Sequence, residues 1–302
     1  MFKRRGKIKN CRPDYFGTEQ QILKFYEQFP NYSSLIKWLR NVKKKEPKII
    51  VKKSKITKII AVIPTRYTKN IRSLKKKYSN ITLVIAVNQK DAGHFNYAYS
   101  INKAIKEALK MKPSWLIIAN DDIKDVGKTR NLVKILGNID NKHVDVVFPD
   151  YITKYPYTHE VILVKYRFYS SLLLRIIRKK TFVKYLLHKK YGIKIFAQPS
   201  SWRERLVFKK IRSFTNVGDF SIISSNFIKN NKSRLFDDIF LNGNEDTEVS
   251  LKFRANKIRH IDYKMDCGYG GNSLGHNQER FLRDIATQCY IYHRYLKSKY
   301  KS

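Results

Sequence analysis

Three short polar stretches carry the residue types from which a metal-assisted group transfer could be built. Asn120-Asp121-Asp122 follows the apolar run Trp115–Ala119 directly, where a buried strand would release the chain. Carboxylate oxygens there are hard ligands that suit Mg2+ or Mn2+, ions that keep waters and bridge to phosphates through one or two carboxylates. Such an ion would stabilise a departing diphosphate as a Lewis acid. Asn244-Glu245-Asp246 opens a helical pattern carrying Val249 and Phe253. An acid of that stretch aimed into a cleft could take a proton from a hydroxyl as general base. Gly275-His276-Asn277 offers an imidazole able to complete a carboxylate-and-phosphate Mn2+ site, and Gly268, Gly270, Gly271 and Gly275 suit a mobile lid. Each stretch also has an ordinary reading: a polar turn with a helix cap, acids set against a helix macrodipole, a structural histidine.

The elements that must position these points are legible in the hydrophobic period. Ile59–Ile63, Leu83–Val87, Trp115–Ala119 and Val144–Phe148 read as buried strands, with Pro64 expected to end the first. Asn96 to Lys110 carries Ala98, Ile101, Ile105, Ala108 and Leu109 at helical spacing. This alternation predicts a mostly parallel sheet covered on both faces, in which ligands bind beyond the carboxyl ends of the strands. Phe220–Ile223 adds a strand, Asp246 to Ala255 a helix, and Gln278 to Ser302 a last helix with Phe281, Ile285, Cys289 and Tyr292 in register. Residues 1–55 read as a basic N-terminal extension with short helices at Gln20–Phe29 and Ser33–Val42, separated at Pro30.

A chain of 302 residues can bury a sizeable core without staples. Cys11, Cys267 and Cys289 form neither a metal pattern nor a disulfide framework, which points to a reducing compartment. No signal peptide or membrane span of ~18 apolar residues is visible, so a cytoplasmic protein is expected, with peripheral attachment to a membrane left open. The balance of 63 Lys+Arg against 24 Asp+Glu gives +39, which attracts polyanions but does not choose among them. Residues 151–212 hold sixteen Lys/Arg and two acids. Leu172, Leu173, Ile176, Val183, Leu186 and Leu187 there could share one helical face, as on a basic helix lying on an anionic membrane or packed on the core. Phosphate-loop, Gly-x-Gly-x-x-Gly, Gly-x-Ser-x-Gly and His-Glu-x-x-His patterns are all missing, which counts sharply against those classes.

The order of the motifs resembles the family 2 glycosyltransferases, especially their rhamnosyltransferase-like branch. The resemblance runs through Ile63-Pro64-Thr65, then Gly93, Phe95, Ala98 and Asn102, then Asn120-Asp121-Asp122. It continues through Gly218-Asp219-Phe220, Phe236-Asp237-Asp238-Ile239-Phe240, Glu245-Asp246 and Gly275-His276, over roughly residues 56–277. It implies an α/β fold of the GT-A type, Rossmann-like; the basic stretch at about 151–212, read as a partly helical insertion, is longer than the family's spacing, and a C-terminal helix is expected from 278. It further implies a metal-dependent inverting transfer from a nucleotide-sugar donor to a glycan, lipid-linked or protein acceptor. In that scheme Pro64, Thr65, Arg66, Asn88, Asn102, Asn120 and Asp121 serve the nucleotide sugar. Asp122 and His276 hold Mn2+ or Mg2+, Glu245 and Asp219 bind acceptor, and Asp246 is the base. Asn88 stands where the family usually has an acid. A nucleic-acid-binding protein, or a binding scaffold without catalysis on the same fold, are the other classes weighed.

Overall fold

The computed structural model describes residues 12–88, 96–149, 158–165, 193–198, 207–212, 220–241, 243–266 and 278–296. In chain order come helices α1 (Arg12–Tyr15), α2 (Glu19–Glu27) and α3 (Tyr32–Asn41), then strands β1 (Lys48–Lys52) and β2 (Ile59–Thr65). Helix α4 (Asn70–Lys77), β3 (Thr82–Val87), α5 (Tyr97–Leu109), β4 (Trp115–Ala119), α6 (Thr129–Gly137) and β5 (Val146–Pro149) follow. Next are β6 (Thr158–Lys165), β7 (Ile193–Gln198), β8 (Val207–Arg212), β9 (Phe220–Ser224) and α7 (Ser225–Asn230). Helix α8 (Glu245–Ser250), β10 (Ile258–Ile261) and α9 (Gln278–Ile291) complete the order. The chain divides into two compact units, one of Met1–Lys43, Glu160–Lys210 and Asn272–Ser302, the other of Lys44–His159 and Ile211–Gly271.

The larger unit is built on a seven-stranded sheet in the order β1-β3-β2-β4-β9-β5-β10. Strands β3, β2 and β4 run parallel, as do β5 and β10, while β9 lies antiparallel between β4 and β5. Edge strand β1 is antiparallel to β3, with Lys48 opposite Val87. Strands β2, β3 and β4 are buried along their whole length, as continuous apolar runs in a two-sided sheet must be. Side chains alternate across the pleat. On one face Ile59, Ala61 and Ile63 join Leu83, Ile85 and Ile117 with Leu74 of α4 and Leu132 and Leu136 of α6. Helix α5 packs on β2 and β3 with Ala98, Ile101, Ala104, Ile105 and Ala108 buried. Each fully buried Ile or Leu contributes about 1.5–3 kcal/mol.

Two sequence expectations change here. Strand β2 does not stop before Pro64 but runs through Thr65. The Thr65 carbonyl accepts from Asn88 N–H on the β3 side, so Pro64 faces the other way, beyond the last β4 pair at Val62. A missing N–H costs nothing where no partner strand reaches. Strand β1, within the stretch taken as an extension, is half-exposed and bounded by lysines, a composition that protects an edge from pairing with other chains.

In the smaller unit a three-stranded sheet has the order β7-β6-β8, with β6 and β7 parallel. The described parts of the basic stretch 151–212 are thus strands, and the expected helical face at Leu172–Leu187 lies outside the described residues. Thr18 caps α2 through a capping box with Gln21, and Asn31 caps α3. Tyr15, Phe25, Phe29 and Trp38 form an edge-to-face cluster. The Tyr26 hydroxyl enters the α9 ladder, donating to Leu282 C=O at 2.6 Å and accepting from Ala286 N–H at 3.0 Å. Burial pushes the Tyr26 phenol well above the ordinary tyrosine range.

Candidate functional site

Strands β2, β3 and β4 end at one edge of the larger unit's sheet, and the chain turns polar there at Thr65, Asn88 and Asn120. Asp121 is the best fixed of these residues. Its Oδ2 accepts from Thr65 Oγ1 at 2.5 Å and from Asn70 Nδ2 at 2.9 Å. Asn70 is the first residue of α4, so the carboxylate sits by a helix N-terminus, where negative charge is favoured. Thr65 Oγ1 in turn accepts from Tyr67 N–H at 3.2 Å. Asp122, one residue on, is exposed; Arg66 and Asn120 are half-buried. Pro64 and Thr65 are buried.

The loop after Asp122 is held firmly. Asp125 and Asp266 exchange two backbone hydrogen bonds of 2.9 Å, and Tyr263 Oη donates to Val126 C=O at 2.5 Å. Burial first, then the nearby negative charge of Asp125, push the Tyr263 phenol up to about 12. Lys77 Nζ donates to Ile123 C=O. Gly127 has φ +68° and a Cβ there would meet Lys264 C=O at 2.5 Å, so only glycine serves. Asp266 is thereby tied beside the loop that follows the Asp121-Asp122 turn. His276 itself, like Asp219, Gly93, Phe95 and Gly218, lies outside the described residues.

Asn88 and Asn102 are engaged by the protein. Asn88 is 5% exposed and donates from Nδ2 to Ser100 Oγ at 2.7 Å. Asn102 Oδ1 accepts from Leu235 and Phe236 N–H at 3.1 and 3.2 Å, and its Nδ2 donates to Phe236 C=O and Asp238 Oδ1 at 2.8 and 2.7 Å. Asn96 Nδ2 reaches Phe240 C=O at 3.0 Å. The segment from Leu235 to Phe240 is therefore clamped to the first half of α5, with its apolar residues buried and Asp237 Oδ1 closing a turn to Ile239 N–H.

That clamp orients α8. Asn96 caps α5 just after the carboxyl end of β3, so Phe240 lies at the same edge as Asp121. At the other end, Arg254 forms a two-pronged pair with buried Asp145, 3.1 Å from Nε and 2.9 Å from Nη2, at the amino start of β5. Helix α8 thus starts toward the carboxyl edge, following Gly243 and Asn244, both with left-handed backbone. Asp246 is half-buried, and its Oδ1 accepts from Thr247 N–H at 2.7 Å, which fixes the carboxylate. Glu245 is half-buried beside it. Glu248, fully buried, pairs with Lys252 at 2.5 Å and supports the helix from behind.

Two further residues belong to this edge and were not singled out in the sequence. Asn70 carries no signature beyond a lysine-rich helical start. Tyr67 is 44% exposed with Lys69 Nζ 5.5 Å over its ring, and it lies two residues past Thr65. A cavity of about 510 Å3 lies at the opposite edge, by the amino starts of β2 and β4, lined by Lys58, Trp115, Leu136 and Asp140 among others. None of the candidate residues lines it. The carboxyl edge is the better site on chemical grounds, because helix N-termini and the fixed carboxylates face it. Among the described residues no group of three or more His, Cys, Asp or Glu is placed to hold a metal ion.

The larger unit defines the protein's class: an α/β fold with an open, mixed and mostly parallel sheet flanked by helices, compatible with a Rossmann-like architecture. Among the described residues no helix is long and apolar enough to cross a membrane. No protein-family model matches the chain, and no curated protein matches it.

Proposed function

We infer that the chain is a metal-dependent inverting glycosyltransferase of GT-A type, moving a sugar from a nucleotide-sugar donor to a hydroxyl of a glycan, lipid-linked or protein acceptor. The observation that carries this reading is the Asp121 clamp. A carboxylate fixed by Thr65 and Asn70 at the ligand-binding edge of the sheet has exposed Asp122 as its neighbour. The start of α8, with Asp246, is turned to that same edge.

The donor set fits Mn2+ or Mg2+ in kind. One or two carboxylates completed by substrate phosphates are what such ions take, and Asp122, with His276, would hold the ion. When bound, the ion neutralises charge on the diphosphate. The chain's own residues do the rest. Arg66 adds positive charge beside the phosphates, and the exposed Tyr67 ring offers a face on which a base can stack. Asn88 and Asn102 act at one remove, the first through Ser100 and the second through the 235–240 segment that leads to α8. Asp246 takes the acceptor hydroxyl's proton while the acceptor oxygen bonds to the anomeric carbon. The bond from that carbon to the phosphate oxygen breaks in the same step, the nucleoside diphosphate leaves with the electron pair, and the configuration inverts. Glu245 and Asp219 orient the acceptor.

A thermal-shift screen of nucleotide sugars with Mn2+ tests donor binding, since selective binding raises the melting temperature. Asp122→Ala should abolish that shift and nucleoside diphosphate release, while Asp246→Asn should keep the shift and lose transfer. Transfer undiminished in Asp246→Asn removes that residue from the mechanism. Failure of every donor to bind removes the enzyme.

A further inference from the structure

Residues 43–80 contain fourteen Lys/Arg and a single acid, Glu46. That acid is already committed, bound by Lys103 Nζ at 2.7 Å and by the Tyr99 hydroxyl. Burial alone would raise its pKa, but the hydrogen bonds from Lys103 and Tyr99 hold it below the usual glutamate range. The fold brings part of this set together: Lys52, Lys53 and Lys55 lie on or just after the edge strand β1, and Lys69, Arg72, Lys75 and Lys76 lie on or beside α4. Strand β2 is buried, so they project from the edge strand β1, the connection after it, and α4. These pieces adjoin: Lys52 Nζ donates to the carbonyls of Lys75 and Ser79, and Ser54 Oγ donates to Asn80 C=O. Ile50, Ile56 and Ile71 pack on the same core beneath them.

Lys53, Lys55, Lys69, Arg72, Lys75 and Lys76 are all exposed and form no ion pair among the described residues. Helix electrostatics explains only part of this set. Lys75, Lys76 and Lys77 close α4, where the macrodipole favours cations. Lys69 and Arg72 sit at its N-terminal end, where the macrodipole opposes them and no acid stands in the first turn. Asp121, held by Asn70 at that end, offsets part of this, and the exposed positive charge that remains is a surface to which a polyanion can supply countercharge.

We propose that the β1–α4 face docks the protein on an anionic lipid bilayer, independently of the catalytic reading. A bilayer fits better than a nucleic acid for two reasons. Of these six exposed cations five are lysines, point charges suited to a diffuse anionic plane, whereas bidentate reading of phosphates and bases calls for arginine. Among the described residues the face is an edge strand and a short helix with one exposed large aliphatic side chain, Val51, and one exposed ring, Tyr67. Single-strand binding needs several open rings.

The full chain is tested by co-sedimentation with vesicles of neutral phosphatidylcholine and of the same lipid with about a third phosphatidylserine. Binding should require the anionic lipid and weaken steeply with salt. Replacing Lys53, Lys55, Arg72, Lys75 and Lys76 by Gln should lower the vesicle-binding constant at least about a hundredfold. An equal charge change on other exposed positions, Lys106, Lys128, Arg130, Lys134 and Lys229 to Gln, should lower it less than about tenfold. If the five-site variant is not folded by circular dichroism, Arg72→Gln with Lys76→Gln alone should still give about a tenfold loss. Equal losses in the two sets mean that total charge binds, not this face, and overturn the proposal. So does single-stranded RNA that binds more tightly than the vesicles and loses affinity through the same five substitutions.

Discussion

Thr65→Val and Asn70→Ala, singly and together, interrogate the Asp121 clamp. Valine keeps the volume at a position 1% exposed and deletes the hydroxyl that meets Asp121 Oδ2 at 2.5 Å. Alanine at 70 deletes the second donor, 2.9 Å from the same oxygen. Hydrogen bonds to a charged acceptor contribute about 1.5–3 kcal/mol, and half-burial of Asp121 places each substitution near the lower end, about 1–2 kcal/mol. Because both donors serve one oxygen, the carboxylate released by the first change turns toward solvent, and the second then costs less. The double variant should fall short of the sum by at least about 0.5 kcal/mol. Urea midpoints at constant slope measure the stability terms. In parallel, the Mn2+-dependent thermal shift by a bound nucleotide sugar should shrink in each single variant, because Asp122 is carried on the turn that Asp121 fixes. Single effects below about 0.3 kcal/mol that add without coupling refute the clamp and, with it, the reason for placing the site here.

Three other perturbations follow from named contacts. Tyr263→Phe removes the hydrogen bond to Val126 C=O and should cost about 1–3 kcal/mol at neutral pH. Its folded-state pKa is raised from 10.0 to about 12, so its contribution is complete below pH 10 and is lost as pH rises through about 12. Wild type should accordingly lose more stability than the Phe variant over that window in alkaline urea titrations. Asn102→Ala leaves two N–H groups and a carbonyl of the 235–236 segment without their partner and should cost on the order of 2–4 kcal/mol, with faster proteolysis after Leu235. Tyr26→Phe breaks the bridge between Leu282 C=O and Ala286 N–H and should cost about 1–3 kcal/mol, read as faster amide exchange in α9.

Much of the larger unit was legible because its strands are buried on both faces. Trp115–Ala119 is a strand over those same residues, and Leu83–Val87 and Asn96–Lys110 shift by one residue at their ends. A two-sided core demands an unbroken apolar run, and such a run survives any neighbouring sequence. Strand β1 escaped notice because an edge is half-exposed and its lysines look like linker. Strands β6, β7 and β8 are short and lack a clean alternation, as in the unbroken Val161–Val164 run of β6, so they do not stand out from the basic stretch around them.

Residue types and order were enough to nominate Asp121, Asp122 and Asp246, because carboxylates after a buried strand or at a helix start have few uses. They could not tell which acid is clamped and which is exposed. That division arises only when α4 brings Asn70 across 51 positions, and β2 brings Thr65 across 56, to a single oxygen of Asp121. Nor could spacing show that Asn102 would spend its amide on Leu235 and Phe236. Local sequence sets propensity and burial through short-range sterics and hydrophobicity. Hydrogen-bond partners far apart in the chain are chosen by packing, and here packing decides which polar groups are clamped and which are left exposed.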